Sequence, residues 1–267
     1  MSDYLTFLFW PFVASVVLVG IHAYFGLHVI RRGIIFVDLS LAQVAALGMT
    51  FSLLLGFPLE GDVSYFFSLG FALLGATIFT VTREMEGKIP QEAVIGIVYA
   101  VSTAAAIMAV SHSPEGAEHI RHLLVGSILT VTPAMVLKTA LLYSVVGGFH
   151  YLFRKQFLGL TFGNGGAPGK PFWWEFLFYA SFALVVTSSV KICGVLLVFI
   201  FLVVPSVFGA MVTDSIGKRL TLGWLFGLAG SAVGLVLSFV LDTPTGATIV
   251  CTFGLALLLI ALVRKLH

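Results

Sequence analysis

Long apolar runs separated by short polar stretches dominate this chain. A helix needs about 20 consecutive apolar residues to cross the hydrocarbon core of a bilayer, where its backbone groups must bond within the segment. About nine runs meet this length, and the pattern allows roughly eight to ten. They are residues 5–30, 34–56, 63–82, 92–110, 134–153, 173–189, 192–211, 220–241 and 246–263.

Two further stretches do not fit this pattern. Residues 123–133, LLVGSILTVTP, are apolar but too short to cross, which favours a re-entrant or interfacial piece. Residues 163–171, GNGGAPGKP, end in a Gly-Lys pair, but a phosphate-binding loop needs glycine at Asn164 and Ser or Thr at Pro171. We therefore expect a loop on the cytoplasmic side, no ATP site and no cofactor bound by this chain.

Composition leads to the same fold class. The 267 residues are 59% hydrophobic and 10% charged, whereas a water-soluble domain carries charge on about a quarter of its residues. The 14 basic and 12 acidic residues nearly balance, so no global field attracts nucleic acid. The sequence predicts an all-α membrane protein, with residues 1–267 forming a single transmembrane domain.

The positive charges predict an orientation. Short loops rich in Lys and Arg face the cytoplasm, and with nine helices the basic loops all fall on one side. The N-terminus is therefore predicted outside and the C-terminus in the cytoplasm. The residues concerned are Arg31, Arg32, Arg83, Lys88, Arg154, Lys155, Lys170, Lys218, Arg219, Arg264 and Lys265.

Polar residues within the first two helices are candidates for a solute path. Intramembrane polar side chains usually face the bundle interior or an aqueous cavity. Counted from the turn at the arginine pair, His22 and Gln43 reach similar depths of ~15 Å, and His28 and Asp38 both lie at ~6–9 Å. The ionisable Asp38 has the strongest claim to line a path. Ser40 and His28 are better explained by hydrogen bonds to neighbouring helices.

A segment on the predicted outer side is enriched in histidine. If it were helical, side chains three and four residues apart would converge, and imidazole with carboxylate is a donor set that suits zinc. A solvated loop with a few histidines is the alternative. The residues concerned are His112, Glu118, His119 and His122.

The chain around Pro205 is a candidate for a cytoplasmic contact. Pro205 removes a backbone donor and is expected to break or bend its helix. Residues 206–219 follow as an amphipathic stretch, predicted to form a short helix across the cytoplasmic face that an energy-coupling protein could hold. An interfacial helix that anchors a loop is the alternative. Four glycines at helical spacing indicate close packing, within one subunit or across a dimer: Gly223, Gly227, Gly230 and Gly234.

An ordered set of motifs resembles the permeases of the metal-ion ABC transporter family that imports zinc and manganese. The motifs are RRGIIFVDLSLAQVAALG, EAVIGIVYA, HLLVGSIL, GVLLVFIFLVVPSVFGAM and LDTPTGATIV. The resemblance implies a permease fold like that of the vitamin B12 importer, the type II ABC importer class. It also implies a homodimer in the plasma or inner membrane, a separate cytoplasmic ATPase subunit and an extracytoplasmic metal-binding protein.

The resemblance also implies roles for individual residues. Asp38 matches an aspartate of the family, but the family's histidine four residues later falls on Ala42, with Gln43 as the nearest substitute. A side chain five residues after Asp38 has a different azimuth unless the helix bulges. The segment that would dock the ATPase comprises Ser206, Phe208, Gly209, Ala210, Met211, Val212, Thr213, Asp214, Lys218 and Arg219.

The leading functional hypothesis is a permease subunit, not itself an enzyme, for a divalent metal, with zinc ahead of manganese. Asp38, Gln43 and His22 would line its path. A permease for a siderophore or a cobalamin-like ligand is the second hypothesis. The third is an ion-coupled secondary transporter or channel, a class that often contains inverted repeats, and no internal repeat is evident. Co-purification of an ATPase would separate the first two hypotheses from the third.

Overall fold

The computed structural model of the chain is helical throughout the part that it describes, residues 2–58, 61–83, 87–111, 128–163 and 169–266. This part contains nine α-helices, one short 3-10 turn at Ile128–Thr130 and no strand. The helices are α1 (Ser2–Arg32), α2 (Val37–Leu54), α3 (Asp62–Arg83), α4 (Gln91–Val110), α5 (Pro133–Leu152), α6 (Arg154–Phe162), α7 (Pro171–Val212), α8 (Ile216–Leu241) and α9 (Thr245–Leu266).

Within the described residues, eight helices are long and apolar enough to cross a membrane. The runs predicted at 173–189 and 192–211 form one 42-residue helix, α7. Its break lies at Gly194, which has φ 76° and ψ 165°, a conformation that costs glycine little because it has no Cβ. The parts on either side, 171–193 and 195–212, are each about long enough for one crossing.

One local prediction is wrong, and one helix was not predicted. Pro205 neither breaks nor ends its helix, because α7 continues to Val212. A proline removes only one backbone donor, and the turns around it keep their own hydrogen bonds. The chain after α5 also contains a helix that hydropathy does not indicate, α6, which ends at Gly163 in the left-handed conformation. Hydropathy missed α6 because this helix is too short and too polar to cross a bilayer.

The described residues group into two compact units. The first unit comprises the described parts of 1–30, 124–144 and 192–267, and the second comprises those of 31–123 and 145–191. In the first unit, α8 packs against α9. In the second unit, α2 packs against α3 and α4. The prediction of a single permease domain stays a prediction.

The glycine row of α8 contacts neighbouring helices of the same subunit. A Cβ added at Gly223 would lie 2.9 Å from the Pro205 carbonyl oxygen, and one at Gly227 would lie 2.5 Å from Cγ1 of Val19. A Cβ added at Gly230 would lie 2.9 Å from the ring of Phe253 on α9. A Cβ added at Gly234 would lie 2.9 Å from Cα of Ile249, also on α9. The predicted close packing therefore occurs within one chain.

A buried ion pair joins helices of the second unit. Nη1 of Arg32 donates to Oε2 of Glu175 at 2.6 Å, and the two side chains are 1% and 9% exposed. Nε of Arg32 donates to Oγ1 of Thr161 at 2.9 Å, and its guanidinium carbon lies 4.2 Å from the centroid of the Phe178 ring. Arg32 therefore ties the end of α1 to α6 and to the first turns of α7.

Candidate functional site

Asp38 is a buried carboxylate in the first turn of α2. Gly33, with φ 66°, lies in the turn between α1 and α2, and α2 begins four residues later at Val37. Asp38 is 1% exposed, and neither of its carboxylate oxygens has a hydrogen-bond partner among the residues that the structure describes. The position agrees with the prediction that Asp38 lies inside an apolar run.

Glu92 is a second carboxylate beside Asp38. Its Oε1 accepts a hydrogen bond of 3.0 Å from the backbone N–H of Phe36, the residue that precedes α2. Its other oxygen is buried and has no partner within the described part of the chain. Glu92 is close enough to Asp38 for the two negative charges to repel each other. Two acidic side chains therefore lie near each other where α2 and α4 begin.

The helix dipoles alone do not compensate the negative charges of this pair. Both carboxylates lie in first helical turns, where the macrodipole stabilises a negative charge by about 0.3–1 kcal/mol. Burial of an unpaired charge costs several kcal/mol, so the dipole offsets only a small part of the cost. A bound cation would supply the missing partner, and two carboxylates offer it oxygen ligands.

The polar residues nearest to Asp38 along α2, Ser40 and Gln43, do not share its face. The helix is regular from Val37 to Leu54, so no bulge realigns Gln43, which lies about 140° around the helix from Asp38. Ala42, at about 40°, occupies the position that the resemblance assigns to histidine. Gln43 is 7% exposed. The hydrogen bond expected for Ser40 is absent, because its buried hydroxyl has no partner within the described chain.

The two histidines of α1 belong to the first unit. His22 is fully buried, and its Nδ1–H donates to the carbonyl oxygen of Leu18 at 2.8 Å. Its ring lies edge-on to the ring of Tyr143, with 6.2 Å between the two ring centroids. His28 packs edge-on against Tyr24 at 4.9 Å. Asp38 and Gln43 belong to the second unit, so the predicted level pairing of the histidines with these residues stays a prediction.

The predicted outer metal site belongs to the part of the sequence that follows α4. It lies outside the described residues, as do all four side chains proposed for it: His112, Glu118, His119 and His122. Within the described ranges, no three His, Cys, Asp or Glu side chains are grouped so that they could hold a metal ion. The Asp38–Glu92 pair is therefore a site with two protein carboxylates and not a closed cage.

The segment expected to dock a partner adopts a different structure from the predicted separate helix. It consists of the end of α7, a turn at 213–215 and the start of α8. Ser206 is buried and its Oγ donates to the carbonyl oxygen of Ala23 at 3.1 Å. Phe208 stacks on Phe226 at 4.5 Å. These side chains contact helices of their own unit, because α7 remains helical past Pro205. Their role in docking a partner stays a prediction.

Gly209 also packs closely inside the first unit, because a Cβ there would clash with the backbone of Arg219. The surface that remains centres on the turn at 213–215, where Asp214 and Ser215 are exposed. Val212 and Lys218, on either side of the turn, are exposed as well. Among the residues predicted to dock a partner, the exposed ones therefore lie at this turn and at the helix ends that flank it.

Comparison with known proteins identifies relatives over most of the chain. A model of the ABC 3 transport family matches residues 4–264. The manganese transport system membrane protein MntC of Listeria monocytogenes is 25% identical over 222 residues, which cover 75% of this chain and 79% of that protein. The chelated iron transport system membrane protein YfeC of Yersinia pestis is 24% identical over 239 residues, covering 88% and 79%.

The fold is similar to that of a solved structure, PsaBC from Streptococcus pneumoniae in complex with Fab. The TM-score is 0.77 at 22% identity, with 96% of this chain and 92% of that chain covered. At this identity the similarity concerns the fold. The all-α, polytopic permease fold predicted from the sequence is confirmed.

Proposed function

The chain belongs to the ABC 3 transport family, and from this membership we propose that it is the membrane permease subunit of an ATP-binding-cassette importer for a divalent metal ion. In this proposal a separate ATPase hydrolyses ATP and moves the turn at 213–215. The movement opens the pathway alternately to each side of the membrane. The chain itself carries out no chemical step.

The pair formed by the buried Asp38 and the half-buried Glu92 carries the proposal. A carboxylate without a partner inside a membrane helix is costly and typically marks an ion pathway. Two carboxylates from two helices can replace part of the hydration shell of a passing cation. The small number of protein ligands favours transient contact, which allows the ion to leave as well as to enter. His22 and Gln43 stay further candidates for this pathway.

The donor atoms favour manganese over zinc. Carboxylate oxygens suit Mn²⁺, whereas imidazole and thiolate suit Zn²⁺, and alanine stands at residue 42 where the family resemblance calls for histidine. The two relatives named above are a manganese and a chelated iron transport protein. We therefore reverse the order predicted from the sequence, which placed zinc ahead of manganese.

A chelated metal is the second candidate substrate, and the similarity to YfeC favours it. A chelate shields the charge of its metal, so its passage would depend less on Asp38 than the passage of a bare ion. Uptake of free and chelated iron by the same preparation separates the two substrates. An ion-coupled secondary transporter or channel does not agree with membership of an ABC family.

The proposed assembly is a homodimer in the plasma or inner membrane. It includes a cytoplasmic ATPase subunit and an extracytoplasmic protein that delivers the metal. The N-terminus outside and the C-terminus inside would place the turn at 213–215 on the ATPase side. Cysteine labelling from each side of the membrane tests this orientation, and labelling of residue 214 from the outside would contradict it.

The direct test is metal uptake by an Asp38→Asn variant. Asparagine keeps the shape and removes the charge, so we expect initial Mn²⁺ uptake to fall by about tenfold or more, equivalent to at least about 1.4 kcal/mol. Ser40→Ala is the matched control, because Ser40 is also buried and unpartnered on α2 but lies on the opposite side. We expect its uptake to stay within about twofold of wild type.

Both variants must be compared at equal amounts in the membrane. Wild-type uptake by Asp38→Asn would remove Asp38 from the mechanism. Uptake by the wild-type chain without any ATPase subunit would contradict the assignment as an ABC permease.

A further inference from the structure

We propose that Arg219 and Arg264 are positioning residues that hold the turn at 213–215 in the conformation that docks the ATPase, a role that rests on the proposed function. Both arginines reach the end of α7 from other helices of the first unit, Arg219 from α8 and Arg264 from α9. Neither needs to contact the ATPase for this role. Their task is to fix the backbone that presents the exposed Asp214.

Arg219 forms two hydrogen bonds with the turn. Its Nε–H donates to the carbonyl oxygen of Thr213 at 2.6 Å, and its Nη2 donates to Oδ1 of Asp214 at 2.8 Å. The planar guanidinium presents its donors in a rigid fork, so a backbone oxygen and a carboxylate can be bound at once. Lysine, with a single ammonium group on a flexible stem, cannot reproduce this geometry.

Arg264 acts on the adjacent residues of α7. Its Nη1 donates to the carbonyl oxygen of Met211, two residues before Thr213. The last carbonyl groups of a helix have no partner within the helix and carry the negative end of its dipole. A guanidinium at this position both satisfies an acceptor and stabilises the helix end. The two arginines therefore serve neighbouring carbonyls at the end of α7.

The rest of the turn has its own hydrogen bonds. The backbone N–H of Thr213 donates to the carbonyl of Gly209 at 3.2 Å, and that of Arg219 donates to the carbonyl of Ser215 at 2.8 Å. The N–H of Ser215 is bonded to Oγ1 of Thr213 at 3.3 Å. The Asp214 side chain is fully exposed apart from its bond to Arg219. A short, hydrogen-bonded turn with one exposed carboxylate is a rigid docking element.

Rigidity of this element bears directly on docking affinity. A mobile turn must be ordered when the ATPase binds, and that ordering lowers the apparent affinity. Loss of an arginine should therefore weaken docking while leaving the docked complex able to work. The expected signature is a higher ATPase concentration at half saturation with an unchanged maximal transport rate.

The experiment uses the full-length permease in lipid nanodiscs and proteoliposomes, with the ATPase subunit that co-purifies with it. For Arg219→Ala we expect the half-saturating ATPase concentration to rise about tenfold, with the maximal uptake rate within about twofold of wild type. Arg219→Lys should recover only part of the affinity, and Arg264→Ala should show a smaller rise than Arg219→Ala. Lys88→Ala, which removes an exposed positive charge from another loop, should leave the affinity unchanged.

Hydrogen exchange of the permease alone provides a readout that needs no ATPase. Amides of residues 213–215 should exchange several-fold faster in Arg219→Ala and at the wild-type rate in Lys88→Ala. Unchanged affinity and exchange in both arginine variants would overturn the inference. The inference would also be overturned if all three variants, Arg219→Ala, Arg219→Lys and Arg264→Ala, lost both the maximal uptake rate and monodispersity. That result would indicate a purely structural role for the two arginines. If the wild-type chain binds no ATPase, the proposed function itself fails.

Discussion

The ion pair between Arg32 and Glu175 allows a quantitative prediction of stability. Glu175→Gln keeps the size and most of the shape of the side chain but removes its charge. Arg32 would then be a buried cation without its counterion, since its own side chain is 1% exposed. Its contacts with Thr161 and with the Phe178 ring would remain and would partly compensate the charge.

The expected loss follows from the burial. Removal of one partner of a buried pair costs about 3–5 kcal/mol, and the remaining contacts favour the lower end of this range. For a chain of this length, 1 kcal/mol corresponds to a change of about 2–4 °C in Tm. We therefore expect Glu175→Gln to lower the Tm by about 6–12 °C.

Thermal unfolding in detergent, followed by tryptophan fluorescence, measures this difference. Arg31→Ala is the matched control, because Arg31 precedes Arg32 in the chain but is exposed, and its Tm should change little. The double variant Arg32→Met with Glu175→Gln should recover part of the loss, because it removes the buried charge itself. If Glu175→Gln changed the Tm no more than Arg31→Ala does, the pair would not be a buried electrostatic contact.

Two glycine substitutions test the helix packing. Gly227→Ala places a Cβ 2.5 Å from Cγ1 of Val19 and should cost about 1–3 kcal/mol, whereas Gly254→Ala has open space and should keep or slightly raise the Tm. Equal Tm values for these two variants would contradict the contact between α1 and α8. Gly194→Ala forces a side chain into left-handed backbone and should lower the Tm by the equivalent of about 1–2 kcal/mol; an unchanged Tm would mean that α7 is not broken at that residue.

Local patterns account for what could be predicted from the sequence. Hydropathy requires only the order of residues along one segment, so most spans and the burial of Asp38 follow from it. The glycine spacing on α8 likewise predicts close packing. The family could also be recognised from the sequence, because its motifs are short and occur in a fixed order.

Local patterns fail where a residue's role depends on a distant neighbour. Glu92 was not a candidate site residue, because nothing near it in sequence reveals that its carboxylate accepts a hydrogen bond from Phe36 and lies near Asp38. The runs 173–189 and 192–211 were predicted as separate spans, and they form one helix interrupted at Gly194. The helix continues through Pro205, because packing can retain a proline within a helix.

The chain by itself therefore determines that this is a helical membrane protein of an ABC transport family with a buried acidic residue in its second helix. Tertiary structure alone decides which carboxylate joins Asp38, which residues of 206–219 are exposed, and where Arg32 finds its counterion 143 residues away. The physical reason is that membrane insertion depends on the hydropathy of each segment. Charge compensation depends on which side chains packing brings into contact.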